Sequence, residues 1–72
     1  MIEYKFNWAG AGSDPRETIR SMNLEPLINE RSGSYIQKWR IQIAGSEPNQ
    51  AVIDALNATG NIVGSITTSV VA

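Results

Sequence analysis

The chain has 72 residues, with six basic and seven acidic side chains, no cysteine and no histidine. A chain of this length is one domain, residues 1–72, with a thin core margin, because it buries only about 60% of the surface its unfolded form exposes. Disulfides and thiolate metal sites are excluded, the commonest general base and metal ligand is missing, and the near balance of charge makes nucleic acid an unlikely partner.

Ile2, Tyr4, Phe6 and Trp8 alternate with Glu3, Lys5 and Asn7, which predicts a half-buried strand. Gly10-Ala11-Gly12-Ser13 ends it. Ser13 or Asp14 is then placed to cap a helix, with Pro15 in its first turn and Ile19 and Met22 on one face. Residues 24–30 alternate weakly, and Pro26 confines such a strand to a sheet edge. Arg31-Ser32-Gly33-Ser34 reads as a turn. Tyr35, Gln37, Trp39, Ile41 and Ile43 share one face of the longest strand, a central one. Gly45-Ser46-Glu47-Pro48 repeats the stop-and-cap signal. Val52, Ala55 and Leu56 mark a second helix, and Gly60 suits its end. Ile62 to Val71 is rich in β-branched residues and closes the chain as a strand.

A duplication runs through this order. Lys5-Phe6-Asn7-Trp8-Ala9 matches Arg40-Ile41-Gln42-Ile43-Ala44, and Gly12-Ser13-Asp14-Pro15 matches Gly45-Ser46-Glu47-Pro48, with Gly10-Ala11 inserted in the first copy. The pseudo-repeat covers strand–turn–helix units 2–23 and 35–59. Two such units in tandem, each followed by a further strand, predict an α+β domain of ferredoxin-like βαββαβ arrangement. Its two helices would cover one face of a four-stranded antiparallel sheet in the order four, one, three, two. The alternative is a three-stranded sheet with two helices, in which residues 24–31 are loop.

Three candidate sites follow. Gly10, Gly12 and Ser13 lie in a Gly-rich turn between a strand and a helix start, where backbone N–H groups can hold an anion. The turn lacks the Gly-Lys-Ser/Thr of a phosphate loop and the third glycine of a dinucleotide fingerprint, and Asp14 sets negative charge where the anion would sit, so a tight turn with a helix cap is the favoured account. Lys5, Lys38 and Arg40 share the outward face of the two central strands and offer a mildly basic surface to an acidic partner. The competing account is a solvated face on which Glu3 pairs with these bases. The aromatics have the opposite parity, so the base-stacking platform of RNA-binding sheets is absent. Ser65, Thr67, Ser69 and Val71 belong to a tail with no charge after Asp54 and no proline, a template for strand pairing if it forms a sheet edge.

From Asn49 to Ser69 the chain resembles the helix–strand half of small regulatory ligand-binding domains of the ACT type. The likeness covers less than a third of the residues, and Ser13-Asp14-Pro15-Arg16 departs from the Asp-x-Pro-Gly usual at the first turn of those domains. It implies a fold and no ligand.

No nucleophile and base are matched by spacing, and the seven acids fall at exposed or turn positions. The expectation is a small non-enzymatic protein–protein interaction module with no cofactor. It would bind a protein partner or itself as a homodimer, as an accessory or inhibitor protein does. The alternatives are a ligand- or anion-sensing regulatory domain with a site at the Gly-rich turn, and a weak nucleic-acid-associated protein. Absent cysteine and the lack of a leader pattern or a long apolar run predict a cytoplasmic protein with no membrane partner.

Overall fold

Alternating apolar residues in two matched segments pair as the centre of one sheet. A computed structural model describes residues 1–71; Ala72, the last residue of the expected domain, lies outside the described residues. The elements run β1 (Ile2–Trp8), α1 (Pro15–Arg20), β2 (Leu27–Ser32), β3 (Gln37–Ile43), α2 (Gln50–Ala58) and β4 (Ile62–Val70). All pairings are antiparallel and the sheet order is β2-β3-β1-β4, so the four-stranded α+β arrangement holds and the three-stranded one does not. No helix is long and apolar enough to cross a membrane.

Both helices lie on the sheet face that carries the alternating apolar residues. Ile2, Tyr4, Phe6 and Trp8 of β1 and Trp39, Ile41 and Ile43 of β3 form one buried cluster with Ile19 of α1 and Val52 and Leu56 of α2. The Tyr4 hydroxyl accepts the backbone N–H of Asn49 at 3.0 Å, which ties the strand to the start of α2. Two arginines lie against Trp39, Arg16 from α1 and Arg31 from the neighbouring strand. The guanidinium groups of Arg16 and Arg31 lie 5.8 and 5.7 Å from the Trp39 ring centroid.

The structure corrects three boundaries. β2 begins at Leu27, after Pro26, and takes in Arg31 and Ser32, which sequence patterning assigns to a turn. Ser32 pairs with Lys38, so the connection spans residues 33–36 and Tyr35 lies outside β3, with 88% of its surface exposed. The second helix is capped by Asn49, whose side chain accepts the Ala51 N–H, and not within Gly45-Ser46-Glu47-Pro48. Pro15 and Gln50 open the two helices 35 residues apart, the spacing that also relates the two strands. The Gly10-Ala11 insertion is therefore offset by a later helix start in the second copy.

Candidate functional site

Residues paired across a sheet share a face, so the ladder register defines the outer surface. Glu3 pairs with Gln42, Lys5 with Arg40 and Asn7 with Lys38. Thr67 and Ser69 of β4 lie beside Lys5 and Glu3, and Glu30 and Ser32 of β2 lie beside Arg40 and Lys38. The sheet thus brings Lys5, Lys38 and Arg40 together, with Ser65 and Thr67, around an open depression of about 420 Å³.

The electrostatics of this face centre on Glu3. It is only 4% exposed although it points away from the helices, which corrects the expectation that every acid sits at an exposed or turn position. Arg40 donates to its Oε2 from Nη2 at 2.9 Å and from Nε at 3.2 Å, and Gln42 adds a bond at 3.3 Å. Lys5 Nζ is 3.7 Å from Oε1. The Arg40 hydrogen bond holds the Glu3 carboxyl below its ordinary range, against the opposing effect of desolvation, with Gln42 and Lys5 assisting. The carboxylates in turn raise the Arg40 pKa, the Glu3 hydrogen bond most of all. Glu30 approaches Arg40 to 3.6 Å, so this arginine serves two acids.

The Gly-rich turn is differently built. Ala9 N–H is given to Asn61, Ala11 N–H to Ala9 and Ser13 N–H to Gly10, so these donors are already used within the fold. Asp14 caps α1 through the Arg16 N–H and binds the Arg16 side chain. Arg16 is also the main reason the Asp14 carboxyl is held below its usual range. Gly10 is needed for close approach: a β-carbon there would collide with Ser13 Oγ, Trp8 Nε1 and Asn61 Nδ2. The Trp8 indole N–H is buried beneath this glycine without a hydrogen-bond partner among the described residues, whereas that of Trp39 donates to Gln37 at 3.1 Å.

β4 is an edge of the sheet. Val71, just beyond its end, donates its N–H to Met1 at 2.9 Å. Alternation along an antiparallel ladder then turns the N–H groups of Ser69 and Thr67 inward to β1, and those of Thr68 and Val70 outward. Between Lys5 and Asn7 the β4 register slips, where Gly64 has a φ of 80°, so the regular ladder covers 67–70. Val70 is 67% exposed. Of the expected interface residues, Thr67 and Ser69 therefore present side chains to the outer face, Ser65 lines the depression there, and Val71 gives its N–H inward, while the free edge backbone belongs to Thr68 and Val70. That alternation depends on ladder phase, which strand patterning alone does not carry.

Among the described residues no group of His, Cys, Asp or Glu is placed to hold a metal ion. Compared with protein-family models, curated proteins and solved structures, the chain shows no match.

Proposed function

We propose that this chain is a non-enzymatic protein–protein interaction module of ferredoxin-like fold, and that it joins a second copy of itself through the open edge of β4. The strand order β2-β3-β1-β4 with both helices on one face supports the fold reading. The observation that carries the functional reading is the contrast between the two sheet edges. β2 is guarded: Pro26 precedes it, a register slip falls between Ile28 and Glu30, and Glu30 and Arg31 put charge on it. β4 also has a slip, near Gly64, but it has no proline or charge, and beyond the slip it keeps a regular ladder over 67–70 with two outward N–H groups in Thr68 and Val70. Antiparallel pairing of this segment with its copy would extend one sheet across both protomers. The same edge would accept a strand of a larger partner, as an accessory or inhibitor protein requires.

The test is a pair of proline variants read by sedimentation and by far-UV circular dichroism. Thr68→Pro removes an outward donor and clashes with a partner strand, so it should give a folded monomer from a wild-type dimer. Ser69→Pro removes an inward bond to β1 and should cost folding itself. A wild type that sediments as a monomer at high concentration defeats the self-pairing proposal.

A further inference from the structure

The duplication has a consequence for the outer face. Lys5 and Arg40 correspond in the two copies, and they are also direct partners across the ladder. A residue pair that is both repeat mate and ladder partner marks the local pseudo-two-fold axis, which therefore passes between Lys5 and Arg40. The same 35-residue spacing relates Asn7 to Gln42 and Glu3 to Lys38.

On one side of this axis Glu3 lies opposite Gln42 and diagonal to Arg40, and takes hydrogen bonds from both. On the other side Lys38 lies opposite Asn7 and diagonal to Lys5. The scaffold is the same, a base and an amide flanking one position, but that position holds a cation where its mate holds a carboxylate. Lys38 has no acidic partner within ion-pair distance among the described residues. Lys5 is held only loosely by Glu3, at 3.7 Å, and over half of its side chain is exposed. Of the nearby acids Glu3 is engaged by Arg40 and Gln42, and Glu30, over half exposed, lies 3.6 Å from Arg40. Lys5 and Lys38 both line the open depression, with Asn7 and the Ser65 hydroxyl; Arg40 and Glu30 line it as well, as a pair, and the Thr67 hydroxyl donates to the Lys5 carbonyl at 3.4 Å.

We propose that this depression binds a small oxyanion, a phosphate or carboxylate group, held between Lys5 and Lys38 with Asn7 and Ser65 as neutral donors. The oxyanion supplies to Lys5 and Lys38 the negative charge that the Glu3 carboxylate supplies to Arg40 on the other side of the axis. Charge-assisted hydrogen bonds from two ammonium groups at one position exceed what either exposed lysine supplies alone. Binding is weak and falls with ionic strength, because the site is open to solvent. It needs no second copy of the chain and stands apart from β4 pairing.

The test is a two-dimensional amide NMR titration at low ionic strength with inorganic phosphate and, separately, succinate, against sodium chloride at matched ionic strength. Saturable shifts at residues 5–7, 38–40 and 65–67 are expected with phosphate or succinate and not with chloride. The stronger of the two identifies the preferred oxyanion. Lys38→Gln should weaken binding roughly ten-fold, the worth of one charge-assisted hydrogen bond. Lys38→Glu should abolish binding while the spectrum stays dispersed, because the new carboxylate meets Lys5 and Asn7 as Glu3 meets Arg40 and Gln42. The proposal is overturned if no saturable shift occurs, if chloride reproduces it, if the shifts centre on residues 9–14, or if both Lys38 variants bind as the wild type does.

Discussion

Glu3 shows how one residue departs from the pattern around it. Alternation assigns it correctly to the outer face, yet the face is not simply solvated there. Arg40, Gln42 and Lys5 close over the carboxylate, and it is nearly as inaccessible as the core on the other side. Its pKa is held below the ordinary value near 4.3, chiefly by the Arg40 hydrogen bond, so the unfolded chain takes up this proton first as pH falls. The stabilisation is whole above the ordinary glutamate range and is lost as pH falls through the folded-state value. Asp14 has the same sign through Arg16. Between about pH 6 and pH 3 the wild type should therefore lose more stability than Glu3→Gln, as read from urea unfolding midpoints. Equal losses would mean the Arg40–Glu3 pair contributes nothing. The parity of Lys5, Lys38 and Arg40 was legible from period-two alternation alone. The burial of Glu3 was not, because it depends on three side chains from positions up to 39 residues away.

At the scale of elements, strands β1 and β3 were readable because large apolar residues recur every second position, over seven residues in β1 and over 39–43 in β3. α1 was readable from its Asp-Pro start, and Asp14 is its cap. α2 misled, since Glu47-Pro48 copies Asp14-Pro15 in sequence but not in role. Pro15 opens α1 directly after its cap, whereas Pro48 stands before the cap of α2, and Asn49 takes the cap because its amide oxygen accepts the Ala51 N–H. Burial nevertheless keeps the sequence register: Ile19 and Val52, which stand as far beyond Pro15 and Pro48 in the two copies, are both fully buried. Asn49→Ala should cost about 1 kcal/mol of stability, the usual worth of such a cap, and Glu47→Ala well under that. Denaturant titration of both variants checks it, and the opposite ranking would return the cap to the Gly-Ser-acid-Pro segment. β2 was blurred for a physical reason. Every one of its residues is exposed, so no buried face imposes alternation on it.

For the whole molecule, the limiting quantity is the amount of core a chain of 72 residues can build. Among the described residues ten buried apolar side chains form one cluster and no group of acids is placed to hold a metal ion, and the sequence has no cysteine for a disulfide. Under the proposed β4 pairing, part of the stability resides in the contact between copies, and mass action then links unfolding to concentration. A ten-fold rise in concentration adds about 1.4 kcal/mol per dimer. Shared over the unfolding entropy of two such protomers, this raises the midpoint of thermal unfolding by about 3–5 °C. The wild type should show that slope across two decades of concentration. Thr68→Pro should unfold at one temperature throughout, lower than the wild type at high concentration and converging on it at low concentration. A wild-type midpoint that does not move with concentration would place all the stability inside one protomer and remove the edge of β4 as a site of self-association.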